Sequence, residues 1–395
     1  EELRSAPGFP PALRGVALVA RGIQERYQGD PRTALATHEE AARELDVLDL
    51  VRARAMNDAC MGRLHCDLRD AAAARALNGR SIAASEAIGD LWLGGLALAN
   101  LAQLEQEEGR LDGAETTIAD AVARLERAGE VHAAAIYASV RGDLLFERGK
   151  IDAARDCYAA GARYFGSLLT HRQAGILHAA AAALEATAGD LGAASAHLEV
   201  AARSASRSGN PVVRQVVHAH RGTVEIWRAP ASERPGVIST WRAWVDRCEG
   251  ATPEGALAAT SMDLRFALRI LARAMEHGAA RATRAPATLR VAHDASWFSS
   301  DGERVVLGRR AALRRILAAL CEQHAKRPGQ GLGVSALLEQ GWPGERVLIE
   351  AAETRVRVAV STLRRLGLRS MIVTRDDGYG LDARVTVEIS PTCPP

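Results

Sequence analysis

GRLDGA at residues 109–114 and GKIDAA at residues 149–154 are two copies of one motif, and they begin forty residues apart along the chain. Related motifs begin at Gly29, Arg69 and Gly189, so the same spacing holds over most of the first half of the protein. Self-similarity at a fixed period of about 20–50 residues is the signature of a repeat architecture. The sequence therefore predicts a chain that stacks similar units of forty residues.

Two columns of small residues indicate how each unit folds. Apolar residues recur at helical spacing between the motifs, which predicts a helical hairpin for each unit. The motif is the connection: its glycine ends the first helix, and its alanine starts the second helix against a neighbour. Seven residues ahead of each turn, a further small residue is expected to let the helices approach closely. The columns are Ala34, Ala74, Ala114, Ala154 and Ala194 in the motif, and Gly22, Gly62, Ala102, Gly142, Ala182 and Gly222 before it.

This pattern resembles the tetratricopeptide repeat in longer units, similar to the helical-repeat regions of large bacterial activators. The resemblance covers residues 12–227. It implies a superhelix whose extended concave surface holds a protein or peptide partner. Groove and core faces are both rich in alanine, so the pattern singles out no groove residue.

The segments that flank the repeats complete the predicted domain layout. Residues 1–11 form an N-terminal segment that is expected to be truncated, since the chain opens without a methionine. Two helical stretches, near residues 237–248 and 255–277, are expected to cap the array, which then spans residues 12–277. Residues 278–287 are rich in alanine, arginine, threonine and proline, and are predicted to be a linker.

From Thr288 onward the sequence changes from helical periodicity to short alternating runs, followed by three predicted helices and a terminal hairpin. Its motifs resemble the OmpR/PhoB-type effector domain over residues 288–390. They are Leu337-Leu338 with Gly341-Trp342, the segment 356–365 in the third helix, and the segment 374–379. The resemblance implies a winged helix-turn-helix that binds double-stranded DNA. The predicted fold class is mainly α, a helical-hairpin repeat superhelix followed by a small α+β winged-helix domain.

The third helix of this domain supplies the candidate DNA-binding residues. Placing its residues every 100° puts Ala352, Val356, Ala359, Val360 and Leu363 on one face, which is the expected core. The resemblance assigns DNA contacts in the helix to Thr354, Ser361, Thr362 and Arg364, and a wing contact to Arg375. The helical geometry adds Arg357 and Arg365, because arginine can pair bidentately with guanine in the major groove. The alternative to DNA contact is that this face of the helix is an arginine-rich surface exposed to solvent.

Charge bears on this interpretation in both directions. The whole chain carries only +2, but from Pro286 onward there are 16 basic residues against 12 acidic ones. This local excess has the sign that nucleic-acid binding requires. Asp376 and Asp377 depart from the resembled pattern, since they put negative charge beside the expected phosphates and would weaken a wing contact.

Motifs for catalysis, cofactors and metals are absent from the sequence. There is no phosphate-binding loop, no nucleophile elbow and no HExxH zinc pair, and the six cysteines lack metal-ligand spacing. We therefore expect that the protein is not an enzyme, that it has no catalytic residue, and that it binds no cofactor or metal. No apolar run is long enough to span a membrane and no signal peptide appears, which predicts a cytoplasmic protein.

Two hypotheses follow for function. The first is a bacterial transcriptional regulator that binds double-stranded DNA and holds a protein or peptide in its repeat groove, with no membrane partner and with a homodimer among its expected assemblies. The alternative is a protein-interaction scaffold whose winged helix is a docking module without DNA binding.

Overall fold

The computed structural model describes residues 11–46, 50–167, 171–283, 288–300, 302–328, 330–345, 349–375, 378–382 and 385–390. The expected N-terminal segment 1–11 thus lies, except for its last residue, outside the described part. The chain divides into two compact units. One comprises residues 1–188, 193–226 and 236–276, and the other comprises residues 189–192, 227–235 and 277–395.

Helices α1 to α12 have 16 to 18 residues each and build most of the first unit; their described connections have two or three residues, except for the five between α11 and α12. This regularity confirms the predicted helical hairpins. The helices are α1 Pro11–Gln28, α2 Pro31–Asp46, α3 Val51–Asp67, α4 Ala71–Ile88, α5 Leu91–Glu107, α6 Leu111–Arg127, α7 Val131–Glu147, α8 Ile151–Ser167, α9 His171–Ala188, α10 Leu191–Ser208, α11 Pro211–Arg228, α12 Arg234–Glu249, α13 Pro253–Ala259 and α14 Met262–Thr283.

The repeat motif forms the turns that the sequence predicts. Its glycines adopt left-handed backbone conformations, with φ of 77° at Gly109 and 74° at Gly149, and the equivalent position in the second copy is Arg69 with φ of 64°. The alanines that open the second helices are fully buried, from Ala34 through to Ala194. Each hairpin therefore closes on an alanine because no larger side chain fits between the helices there.

Close helix approach is also found at the second small-residue column. A Cβ added to Gly142 would lie 2.8 Å from the ring of Tyr158, and one added to Gly222 would lie 2.6 Å from Trp241. Each partner lies on the helix that follows. The glycines thus let a bulky side chain of the next helix pack directly on the backbone.

The helices after the repeats differ in detail from the prediction. The stretch expected to be one helix over residues 255–277 is two, because the Ser261 hydroxyl accepts a hydrogen bond from the Leu264 amide (3.2 Å) and starts α14 anew. Helix α14 then continues to Thr283. The expected linker 278–287 therefore begins as helix, since alanine and arginine favour helix up to that point; residues 284–287 lie outside the described part.

Over its described residues from Thr288 onward, the second unit contains a four-stranded sheet, a two-stranded hairpin and three helices. Its elements are β1 Thr288–Ala292, β2 Trp297–Ser300, β3 Glu303–Val306, α15 Ala311–Lys326, α16 Val334–Gly341, α17 Ile349–Leu363, β4 Ile372–Arg375, β5 Gly378–Leu381 and β6 Thr386–Ser390. The sheet order is β3-β2-β1-β6, and β4 pairs with β5. Strand β6, which the sequence did not predict, runs parallel to β1.

One hydrophobic core holds these strands and helices together. It includes Phe298 from the sheet, Ile316 from α15, Val356 and Leu363 from α17, and Leu381 from the hairpin, all 1% exposed or less. The predicted fold class is confirmed: the chain is mainly α, with a helical-hairpin repeat superhelix followed by a small region of sheet and helix. None of the helices described is both long and apolar enough to cross a membrane.

Candidate functional site

The face of α17 that the sequence assigned to DNA is exposed at most of its positions. Thr354, Arg357, Ser361 and Arg365 are exposed, and between them Val358 is 59% exposed. The Thr362 hydroxyl donates to the Val358 carbonyl (2.8 Å), which occupies it within the helix. The opposite face is buried through Val356, Ala359, Val360 and Leu363, as predicted. Ala352 lies where side chains are not described.

Arg364 does not belong to that exposed set. Its side chain is buried, with Nε donating to the Ile372 carbonyl (3.2 Å) and Nη2 donating to the Thr374 hydroxyl (2.8 Å). The guanidinium also lies 5.7 Å from the centre of the Tyr379 ring. The expectation that Arg364 projects from the helix toward DNA is corrected, because the Ile372 carbonyl and the Thr374 hydroxyl of β4 hold its guanidinium against the β4–β5 hairpin.

The predicted wing corresponds to the β4–β5 hairpin. Arg375 ends β4 and pairs with Gly378 across the hairpin. Its side chain, together with Asp376 and Asp377, lies outside the described residues.

A cavity of about 310 Å³ lies within the first unit. The first helices of the hairpins supply nearly all of its wall. It is lined by Arg26, Tyr27, Met56, Arg63, Trp92, Leu96, Gln103, Glu130, His132, Ala133, Ile136, Tyr137, Ser139, Val140, Asp143, Arg172, Gln173, Ile176, Leu177 and Asp263.

The cavity lining repeats with the period of the fold. One apolar column, at residues 56, 96, 136 and 176, is Met, Leu, Ile and Ile, and every member lines the cavity. Seven residues further along each helix, a polar column at residues 63, 103 and 143 is Arg, Gln and Asp. The sequence analysis missed these residues, although the forty-residue period already carried the signal.

An ion-pair network forms the polar end of the cavity, which we call the floor. The carboxylate of Asp67 lies 3.0 Å from Arg26 and 3.5 Å from Arg63. Across the floor, Asp263 lies 2.7 Å from Arg172 and 3.7 Å from Arg63. Burial by itself would raise the pKa of Asp67, but Arg63 and Arg26 hold it below its ordinary value.

Asp143 differs from the other two carboxylates of the floor. Burial raises its pKa to about 8, against the opposing effect of a hydrogen bond from the Tyr158 hydroxyl (2.6 Å). At neutral pH this side chain is therefore mostly protonated, and it can donate a hydrogen bond where Asp67 and Asp263 can only accept.

Helix α14 brings Asp263 to the floor and is fixed there by a ladder of arginines. Arg265 donates to the carbonyls of Cys66 and Asp67 (both 3.0 Å), the last residues of α3. One helical turn on, Arg269 lies 2.6 Å from Glu107 and 2.7 Å from Glu147. Residues 67, 107 and 147 end successive first helices in the same repeat phase. Arginines four residues apart on α14 thus contact the ends of helices whose last residues are carboxylates forty residues apart.

Comparison with solved structures finds proteins of similar fold. The structure is similar to that of a Rap protein complexed with competence and sporulation factor, with a TM-score of 0.50 and 11% identity over 71% of this chain and 79% of that one. Two more similar structures are the Rap conjugation gene regulator of the plasmid pLS20 in complex with the Phr* peptide (TM-score 0.47, 13% identity, 66% and 73%) and aspartyl phosphate phosphatase F from Bacillus subtilis (TM-score 0.46, 9% identity, 68% and 71%). The first likeness shows a shared helical-repeat fold.

No protein-family model matches the chain, and no curated protein matches it in sequence. Within the described residues, no three His, Cys, Asp or Glu side chains are grouped as metal ligands would be.

Proposed function

We propose that this protein is a non-catalytic regulator whose repeat superhelix binds a short peptide in the cavity. The observation that carries the proposal is the cavity itself, a concave site with an apolar wall and a polar floor. Its volume is at the lower end of the ~300–1,000 Å³ typical of ligand sites, which suits a few residues or the end of a longer peptide. The similar Rap protein, solved with competence and sporulation factor, supports the use of this fold for binding.

Blocking the cavity tests this proposal. Ile136 lies in the apolar column and is only partly buried at the edge of the core, so Ile136→Trp places an indole in the empty space of the cavity. We expect the purified full chain to retain members of a random hexapeptide library, detected by mass spectrometry, and the variant to retain at least tenfold less.

The matched control is Ile88→Trp, at an exposed position at the end of α4 and outside the cavity. It should retain peptides as the unchanged chain does. Equal retention by Ile136→Trp and the unchanged chain would show that peptides bind elsewhere.

A second function, binding of double-stranded DNA by the C-terminal unit, is favoured by the exposed face of α17. Arg357, Ser361 and Arg365 lie on that face, and the helix is followed by the β4–β5 hairpin in the position of a wing. The resemblance to OmpR/PhoB-type effector domains supports this assignment. Arg357 and Arg365 would then contact guanine edges or phosphates.

Fluorescence anisotropy of the full chain with pooled genomic duplexes tests DNA binding at two salt concentrations. We expect saturable binding that weakens with salt, because counterions are released from the phosphates. The double variant Arg357→Ala, Arg365→Ala should bind at least tenfold more weakly, whereas Arg32→Ala, Arg43→Ala, at exposed positions of α2, should not. Absence of binding at low salt would favour the alternative, a scaffold in which this unit docks onto protein.

A further inference from the structure

The floor of the cavity carries more positive than negative charge. Three guanidinium groups, those of Arg26, Arg63 and Arg172, face the two ionised carboxylates of Asp67 and Asp263. The one further carboxyl at the floor is Asp143, which is mostly protonated at neutral pH, as described above. The floor therefore has an excess of one positive charge in a partly buried place, where the cost of an unpaired charge is high.

Glu130 does not cancel this excess. It is exposed and precedes α7, whereas Asp143 lies near the end of the same helix. At the helical rise, these two residues are about 20 Å apart along the axis. Glu130 is thus at the solvated mouth of the cavity.

Unused hydrogen-bond donors lie beside the positive charge. The Nε–H groups of Arg63 and Arg172 are buried and neither makes a hydrogen bond to the described residues, although Arg63 Nε lies 3.5 Å from the Asp67 carboxylate. A buried donor without a partner costs about 1–3 kcal/mol, and native proteins seldom leave one so. Both donors line the cavity, so an acceptor group on a ligand can reach them.

From these observations we infer that the floor binds a carboxylate of the ligand, which is either the C-terminal carboxylate or an acidic side chain of a short hydrophobic peptide. The inference rests on the proposed peptide site and names the group that anchors the peptide there. A carboxylate is planar and accepts two parallel hydrogen bonds from the edge of a guanidinium. The apolar column of Met56, Leu96, Ile136 and Ile176 then contacts the hydrophobic side chains nearer the mouth.

The carboxylate of Asp263 pairs with the arginines that we propose for the ligand carboxylate. It pairs with Arg172 at 2.7 Å and with Arg63 at 3.7 Å, the same two arginines whose Nε–H groups make no hydrogen bond. A carboxylate ligand shares these arginines with Asp263 or displaces it. Removing the negative charge of Asp263 should therefore tighten the binding of an anionic peptide.

The experiment compares three hexapeptide pools on the purified full chain, with retention read by mass spectrometry. All pools are N-terminally acetylated. One has free C-terminal acids and no Asp or Glu, one has amidated C-termini and no Asp or Glu, and one has amidated C-termini with a single Asp or Glu. Retention of the first pool assigns the carboxylate to the peptide terminus, and retention of the third assigns it to a side chain.

Two results overturn the inference, and they differ in what they say of the proposed function. If the amidated pool without Asp or Glu is retained as well as the others, the site binds peptides without recognising a carboxylate. If no pool is retained, the peptide-binding proposal fails together with its anchor.

Substitutions at the floor test the same inference with individual peptides from the retained pool. Arg172→Gln should weaken binding at least tenfold and Arg172→Lys less, whereas Asp263→Asn should tighten it several-fold. Arg163→Gln, at an exposed position of α8, is the control and should leave the affinity unchanged. Because a misfolded variant could only lose affinity, the gain expected of Asp263→Asn keeps the test decisive. Unchanged or weaker binding in Asp263→Asn would overturn the shared-arginine arrangement.

Discussion

His220, in α11, is a titratable residue enclosed in the core of the repeat unit. It is fully buried, its ring lies 5.9 Å from that of Phe266, and neither ring nitrogen has a hydrogen-bond partner among the described residues. Burial lowers its pKa to about 3. The imidazole is therefore neutral in the folded protein throughout the mildly acidic range.

We predict that His220→Leu protects the protein against acid. With the folded pKa at about 3 and an unfolded value of about 6.5, the unfolded state takes up the proton first as the pH falls, so the free energy of unfolding drops by about 1.4 kcal/mol per pH unit between these values. Between pH 7 and pH 5 the variant should gain about 2 kcal/mol relative to the unchanged chain.

Urea unfolding at the two pH values measures this difference. The same substitution at exposed His277 is the control, because burial is the cause of the effect. Parallel pH profiles for the unchanged chain and His220→Leu would contradict the prediction.

Arg364 and Arg357 make a second contrast at the scale of single residues. Both were expected to contact DNA, yet one is buried against the β4–β5 hairpin and the other is exposed on α17. We predict that Arg364→Ala lowers the free energy of unfolding by about 2–3 kcal/mol, since a carbonyl and a hydroxyl lose a charged donor inside the core. Arg357→Ala should change it by less than about 0.5 kcal/mol.

Chemical denaturation followed by the near-ultraviolet signal of the C-terminal unit compares the two variants. DNA affinity measured on the same samples should fall directly in Arg357→Ala. A loss of DNA affinity in Arg364→Ala at unchanged stability would restore the original assignment of this residue.

At the scale of elements, the forty-residue motif specified the hairpins because its requirements are local. A turn that needs a left-handed residue and a helix contact that admits only alanine leave their mark on every copy, as at Gly109 and Ala114. The approach of helices at Gly142 could be predicted for the same reason. The division at Ser261 could not, because a single capping hydroxyl decides it within an otherwise continuous helical pattern.

Arg69 is the exception within the motif, and it gives a prediction about the turn. It adopts a φ of 64° where the other copies have glycine, and a side chain in this conformation costs about 1–2 kcal/mol. Since Arg69 is exposed, Arg69→Gly should raise the free energy of unfolding, by about 0.5–1 kcal/mol after the greater chain entropy of glycine is counted.

Thermal unfolding of matched variants tests the sign. Arg127→Gly, at the exposed last residue of α6, is expected to destabilise by about 1 kcal/mol, because glycine disfavours helix. Arg69→Gly melting at or below the temperature of the unchanged chain would contradict the turn argument.

At the largest scale, the sequence did not reveal how the ends of the repeat array meet. The arginine ladder of α14 has a helical spacing and the carboxylates of Glu107 and Glu147 have a repeat spacing, and neither pattern points to the other. The two patterns come into contact only in the folded superhelix, where Arg269 of α14 pairs with both Glu107 and Glu147. The cavity was hidden similarly, because its floor combines residues 26, 63, 172 and 263, which are far apart in the chain.

One further contact closes the array, and it can be tested separately from local helix capping. Asn210 is buried and caps α11, since its Oδ1 accepts from the Val212 amide (2.8 Å), while its Nδ2 donates to the Tyr27 carbonyl at the end of α1 (2.7 Å). Serine also caps helices well but is too short to replace the amide donor. Asn210→Ser therefore removes the link between residues 27 and 210 and leaves the cap.

We predict that Asn210→Ser lowers the free energy of unfolding by about 1 kcal/mol, the net value of a hydrogen bond. Its distinguishing effect should be faster amide hydrogen exchange in α1, which is 183 residues away in sequence, with α4 to α6 unchanged. Asp70→Ser, which exchanges one good cap for another at α4, is the control and should leave exchange in α1 as it was. Unaltered exchange in α1 of Asn210→Ser would mean that the array does not depend on this closure and that its neighbours at the start of the array, α2 and α3, suffice to hold α1, as in an open solenoid.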